Sequence, residues 1–193
     1  MKTLLSSLKL TVVFCVLLFL GYVLLLWGFA AIVKQNNGKA ELLTLNKKIV
    51  GAANVGQKFT QAKYFVGRPS AVDYDGSHSG GSNKGPSNKE YLEEVNMRIN
   101  KFLVTHPYLN KKDIPSELVT ASGSGLDPDI SPLAAYIQVP RIAKVRGLSE
   151  DVIKKIIFEH TKRPLIGQPH IHVLELNIAL DNITNNHAIS ITY

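Results

Sequence analysis

From Leu10 to Val33 the chain runs LTVVFCVLLFLGYVLLLWGFAAIV without one Asp, Glu, Lys or Arg. As a helix this stretch is about 36 Å long at 1.5 Å per residue, against a bilayer core of about 30 Å, so the pattern predicts a membrane-spanning helix. The competing reading is a secretory leader. A leader has an apolar region of only about 7 to 15 residues before a small-residue cleavage site, and Gly28-Phe29-Ala30 is a poor version of such a site. An uncleaved anchor is the expectation.

Beyond the anchor the periodicity changes. ELLTLNKKIVGAANVGQKF (41–59) has a charged start followed by KIVGAANVG, a β-like run whose glycines point to a tight strand or a bulge. Residues 64–87, YFVGRPSAVDYDGSHSGGSNKGPS, are rich in Gly, Ser, Asp, Asn and Pro and read as a long ordered loop. Ser87 and Glu90 have capping-box spacing. Tyr91, Leu92, Val95, Ile99, Phe102 and Leu103 follow at helical intervals, which predicts an amphipathic helix over 88–105.

VTASGSGLDPDISPLAA (119–135) contains a helix start. Ser131 is placed as the N-cap and Pro132 as the first helical residue, with Asp127 and Asp129 beside the positive end of the helix dipole. Ser122, Gly123, Ser124 and Gly125 are left outside that account. The helix should run to Gly147 and be kinked or split by Pro140. Ser149 caps a further helix with Glu150 and Asp151 in its first turn and Val152, Ile153, Ile156 and Ile157 as its buried face. That helix closes at Lys162 and Arg163 before Pro164. HIHVLELNIAL (170–180) reads as a strand buried on both faces. The fold class expected is α/β: one N-terminal transmembrane helix and one mixed α/β domain, divided as a 1–9 cytoplasmic tail, a 10–33 span and a 34–193 extracytoplasmic domain.

Composition adds three constraints. With 45% hydrophobic and 19% charged residues, the 193-residue chain is not a disordered one. Cys15, the sole cysteine, lies in the anchor, so the domain has neither disulfide nor thiolate chemistry. The net charge of +7 comes from scattered lysines, which reads as a solvated surface and not a nucleic-acid interface. Charge does not fix orientation: Lys2 and Lys9 flank one end of the span, and Lys34, Lys39, Lys47 and Lys48 the other. A cytoplasmic N-terminus is chosen because long domains translocate largely regardless of charge.

Candidate chemistry is sparse. A hydrolase would draft Ser122 or Ser124, one of six histidines and Asp127, but no G-x-S-x-G elbow is present. SGSG offers backbone N–H groups to an anion, without a Walker pattern to support it. His170 and His172 share a strand face and with His160 or His187 have ligand chemistry, yet no HExxH or cysteine pair accompanies them. Asp127-Pro128-Asp129 lacks the ladder of a calcium loop. No catalytic residue and no metal ligand is expected. Gly21 and Gly28, seven apart on nearly one helix face with Ala31 beyond, permit close approach of another membrane helix.

Five segments in order, YFVGRPSA (64–71), GGSNKGPSN (80–88), VTASGSGLDPDISPLAA (119–135), QVPRIAKVRGL (138–148) and VLELNIALD (173–181), behind a single span, resemble the KdpC family. That family is the C subunit of the bacterial Kdp potassium-transporting P-type ATPase. The resemblance implies a cell-membrane protein with its N-terminus in the cytoplasm and its domain outside. The implied partners are a channel-like KdpA subunit that carries potassium, a KdpB subunit that hydrolyses ATP, and the small KdpF subunit. It also implies a role in assembly and as a catalytic chaperone that raises the ATP affinity of KdpB. No cofactor is expected to be held tightly, and ATP enters through the resemblance alone.

The resemblance likens Ser122, Gly123, Ser124 and Gly125, with Asp127 beside them, to a nucleotide signature loop. An extracytoplasmic loop does not meet cytoplasmic ATP, so any influence is a coupling across the membrane. Gly67, Arg68, Pro69, Asn83, Gly85, Pro86, Asn88, Asp129, Ser131 and Pro132 are the expected docking-loop residues, with Gly21 and Gly28 on the anchor. The chain departs from the family pattern at His170-Ile171-His172, where an arginine-containing run is usual. The rival readings are an anchored hydrolase using Ser122 or Ser124 and a metal-binding domain using His170 and His172.

Overall fold

The computed structural model describes residues 2–33 and 40–190 and divides the chain into two units, Met1–Glu41 and Leu42–Tyr193. Lys34 and Lys39, weighed above for orientation, and the side chain of His187 lie outside what is described.

The first unit is one continuous helical rod, Lys2–Val33, of 32 residues. It comprises α1 (Lys2–Cys15), a π-helical segment Val16–Tyr22 and α2 (Val23–Val33). Helix therefore begins eight residues before the apolar run, and the rod is about 48 Å long, more than a bilayer core requires. Two of its hydroxyls are satisfied locally: Ser7 donates to the Thr3 carbonyl and Thr11 to the Ser7 carbonyl, each at 3.0 Å. Such back-bonding lets polar residues sit on a helix in apolar surroundings.

The second unit opens with an antiparallel hairpin, β1 (Leu42–Leu45) and β2 (Lys48–Ala52). Asn46 and Lys47 turn the chain with φ of 52° and 64°, the left-handed pair of a two-residue hairpin. The register slips between Leu43 and Thr44, so the irregularity anticipated from the glycine-containing run is a bulge in this ladder. Loops follow as far as α3 (Lys89–Thr105).

Asn88, not Ser87, caps α3: its side chain accepts from the Tyr91 N–H at 3.0 Å, while Glu90 turns to Lys84. An asparagine next to the serine was at least as good a cap, and one residue of register decided it. The buried stripe is also narrower than expected, consisting of Ile99 and Phe102, with Leu92 exposed.

Two-residue strands β3 (Asp129–Ile130) and β4 (Ile171–His172) pair antiparallel, Asp129 opposite His172 and Ile130 opposite Ile171. Between them lie three helices. Pro140 divides the first predicted helix into α4 (Pro132–Tyr136) and α5 (Val139–Arg146), which ends at Gly147 with φ of 65°. Ser149 caps α6 (Glu150–His160), whose buried residues Ile153, Ile156 and Ile157 are the face expected.

The strand expected over 170–180 is confined to Ile171 and His172, and α7 (Val173–Ser190) takes the rest. Val173, Leu174, Leu176, Asn177 and Leu180 are its buried positions, spaced i, i+1, i+3, i+4, i+7. Leu, Glu and Ala are strong helix formers, and the apolar run that looked like a two-faced strand is one broad helical face. Helices α4 to α7 enclose the core with Phe65, Phe102 and Ile130. Each fully buried Leu, Ile or Phe there contributes about 1.5–3 kcal/mol. The domain is mixed helix and strand, and among the described residues its sheets are two antiparallel pairs.

Candidate functional site

Three loop segments expected to carry function pack on one another. The Ser122 N–H donates to the Pro69 carbonyl at 3.1 Å, the Gly80 N–H to the Ser124 carbonyl at 2.9 Å, and the Ser79 hydroxyl to that same oxygen at 3.1 Å. Arg68 and Asp127, singled out separately in the sequence, form an ion pair at 3.1 Å with both side chains about three-quarters buried. The Tyr74 hydroxyl donates to the Arg68 carbonyl, while Ser70 Oγ accepts from the Val72 and Tyr74 N–H groups. Burial, and behind it the charges of Asp127 and Asp73, raise the pKa of the Tyr74 phenol.

The serine-glycine stretch is shaped by its own hydroxyls. Ser122, 3% exposed, accepts the Gly125 N–H at 3.0 Å, and Ser124 Oγ accepts the Leu126 N–H at 3.1 Å. The Ser122 and Gly125 N–H groups, two of the four that the stretch offers an anion, are taken inside the protein, and the Ser122 hydroxyl a hydrolase would use is buried and already accepts a hydrogen bond. Gly125 has φ of 68°, and a β-carbon there would come within 2.5 Å of Val72 and 2.8 Å of the Gly80 carbonyl. Only glycine fits this position.

Asp127 and Asp129 have partners other than the helix dipole assigned to them. Asp127 accepts the Asp129 N–H at 3.0 Å in an Asx turn while its other oxygen takes Arg68. Asp129 Oδ1 lies 2.5 Å from His172 Nδ1, close enough for an ion pair though not aligned for a hydrogen bond. Ser131 caps α4 as expected, accepting from the Ala134 N–H at 3.2 Å, with Pro132 following, and it donates to Glu117.

Asn83, Gly85, Pro86 and Asn88 belong to a separate region at the start of α3. Asn83 has φ of 52°, the Asn88 N–H donates to the Gly85 carbonyl, and Lys84 bridges Glu90 and Glu94. Gly67 rests near Val173 without a close contact. On the anchor, a β-carbon added at Gly21 or Gly28 would meet nothing within 4 Å among the described residues. His170 and His172 come together, ring centroids 6.0 Å apart. Among the described residues no group of three or more His, Cys, Asp or Glu side chains is arranged to hold a metal ion.

Sequence reasoning missed the polar groups that hold the first loop in place. Gln138 accepts from the Val66 N–H at 2.9 Å and donates to its carbonyl at 3.1 Å. Arg141, 8% exposed, donates to the Ala62 and Tyr64 carbonyls, to Gln138 and to Nε2 of His106. Because Arg141 Nε–H occupies Nε2, the proton of His106 is on Nδ1, facing the Phe102 carbonyl 2.9 Å away. Burial, opposed by that bond and aided by the Arg141 charge, pushes the His106 pKa down to about 4. The clue lay in QVPR and VLELN, where Gln138, Arg141 and Asn177 are polar residues on apolar helix faces.

A family model described as KdpC, the c chain of K+-transporting ATPase, matches residues 4–182. A protein of Bacteroides fragilis named potassium-transporting ATPase KdpC subunit is 53% identical over 190 residues, covering 96% of this chain and 100% of its own length. Its namesake in Bacteroides thetaiotaomicron is 56% identical over 186 residues, covering 94% and 98%. The protein so named in Caldanaerobacter subterraneus is 45% identical over 177 residues, covering 90% and 92%.

Proposed function

Because the chain belongs to the KdpC family, the c chain of K+-transporting ATPases, we propose that it anchors itself by Lys2–Val33, with the N-terminus in the cytoplasm and the domain outside, and docks there on the channel-like KdpA subunit. The observation that carries this reading is the pairing of one long apolar rod with a single folded domain whose loops are braced from within. Bracing at Arg68–Asp127 and Gly125 gives those loops a fixed shape to present, which lowers the ordering cost of docking. The face bearing Gly21 and Gly28 packs against helices of KdpA, KdpB or KdpF.

The chaperone effect on ATP affinity at KdpB then acts through the assembled complex. The Ser122 and Gly125 N–H groups are already used within the domain, which favours coupling over direct nucleotide contact. The chain itself supplies no chemical step in this reading.

The test is affinity purification from membranes through a tag on the domain, comparing the natural chain with Gly21→Leu/Gly28→Leu and with Asp127→Ala. Recovery of the large potassium-pump subunits with the natural chain, and their loss from both variants at equal chain levels in the membrane, is expected. Full recovery with both variants refutes the docking assignment. A periplasmic protease that leaves the domain intact in spheroplasts refutes the orientation.

A further inference from the structure

A cleft of about 350 Å³ opens between residues 58–62 and the C-terminal half of α3, apart from the loop cluster just described. That volume is within the range of small-molecule sites. Lys58, Arg98, Lys101 and Arg141 line it, and its lining includes no Asp or Glu.

The neighbourhood leaves this positive charge incompletely cancelled. Lys58 pairs with Asp73 at 2.6 Å, but both side chains are more than half exposed, so the pair is weak. Arg98 shares the single carboxylate of Glu94 with Lys84. Arg141 is surrounded by neutral acceptors, two backbone carbonyls, an amide and an uncharged imidazole. Lys101 has no ion-pair partner among the described residues, and it lies one turn from Arg98 on the same helix face.

The remaining wall is apolar. Phe59 and Phe102 contribute to it, and Phe102 is stacked on His106 with centroids 3.9 Å apart. An inorganic anion would satisfy the cations and leave that wall wetted. A neutral apolar molecule would cover the wall and leave the cations facing one another. A ligand that meets both demands has an anionic head and an apolar body.

We propose that this cleft binds a small organic oxyanion, a carboxylate or phosphate monoester on an apolar body, with its head between Arg98 and Lys101 and its body against Phe59 and Phe102. Soluble anions and phosphate-bearing lipid heads share this chemistry. The proposal does not depend on the docking assignment.

Phenyl phosphate titrated by calorimetry into the full-length chain, held in phosphatidylcholine nanodiscs, tests it. Saturable binding is expected, weakened at least about tenfold by Lys101→Glu, a change worth about 1.4 kcal/mol. Lys101→Gln should lie between. Both variants should melt with the natural chain, since Lys101 is exposed and unpaired. Phosphatidic acid added to the discs distinguishes the sources: displacement of phenyl phosphate assigns a lipid head, and unchanged binding a soluble anion. Equal binding of phenol and phenyl phosphate, equal binding by Lys101→Glu, or no saturable heat overturns the proposal.

Discussion

Asn177 on the last helix holds Phe65 by both of its backbone polar groups, accepting the N–H at 2.9 Å and donating to the carbonyl at 3.0 Å, across 112 residues of sequence. Gln138 does the same for Val66. Two side-chain amides thus replace the ladder that a neighbouring strand would have supplied, and they fix the segment from which Arg68 and Pro69 extend. Loop geometry at the candidate docking surface is set from inside the core.

Asn177→Leu keeps the volume but strands the Phe65 N–H and carbonyl in a buried site. At about 1–3 kcal/mol for each unsatisfied group, a loss of about 2–6 kcal/mol is expected. Urea unfolding of the natural and altered chains measures it. A loss within about 0.5 kcal/mol contradicts the bracing role.

Gly125→Ala forces a side chain into the left-handed region and against Val72 and the Gly80 carbonyl. It should cost about 2 kcal/mol or more. Gly123→Ala, two residues away in the same loop, meets open space and should stay within about 0.5 kcal/mol. Thermal melts of the pair separate a shaped loop from one that is merely glycine-rich.

His106 gives the domain an acid-sensitive core. Its folded pKa is lowered from 6.5 to about 4, so the unfolded chain takes up the proton first as pH falls. Its contribution is fully present above about pH 6.5, declines from there to about pH 4, and amounts to roughly 3 kcal/mol in all. Protonation also sets Nε2–H against the Arg141 Nε–H that it now accepts. An NMR titration of the ring with a midpoint near 6.5, or urea melts unchanged between about pH 7 and pH 4.5, would falsify this.

Asp181 neutralises Arg146 at 2.8 Å, where the arginine side chain is 4% exposed, and also accepts from the Tyr64 hydroxyl at 2.8 Å. Burial first, and then this bond to the carboxylate, raise the Tyr64 pKa. Asp181→Ala removes the carboxylate that accepts from both the buried Arg146 guanidinium and the Tyr64 hydroxyl, and should cost about 2 kcal/mol or more. Tyr64→Phe should cost about 1 kcal/mol, since it removes one bond and no charge. Chemical denaturation of both variants tests this order, which reverses if the hydroxyl is the main contributor.

The local signals were readable: the apolar run of the anchor, Ser131-Pro132 opening α4, Pro140 dividing it from α5, and Ser149 opening α6. Each depends on backbone chemistry within a few residues. The run from Val173 to Leu180 was misread because burial on a broad face erases the alternation that separates helix from strand. Arg68 and Asp127 were both named, but their pairing across 59 residues is tertiary and has no local trace. Gln138, Arg141 and Asn177 were visible only as polar residues among apolar ones, and their targets, the carbonyls and N–H groups of residues 62–66, carry no side-chain signature.

The reach of α7 back to Tyr64 and Phe65 has a consequence for biosynthesis. α7 is synthesised after the residues it holds, and its Asp181 contact spans 117 residues. Until it arrives, Tyr64 and Phe65 lack the Asp181 and Asn177 contacts that hold them. Nascent chains stalled before Val173 should be cut readily by protease, whereas chains extended past Asp181 and clear of the exit tunnel should resist.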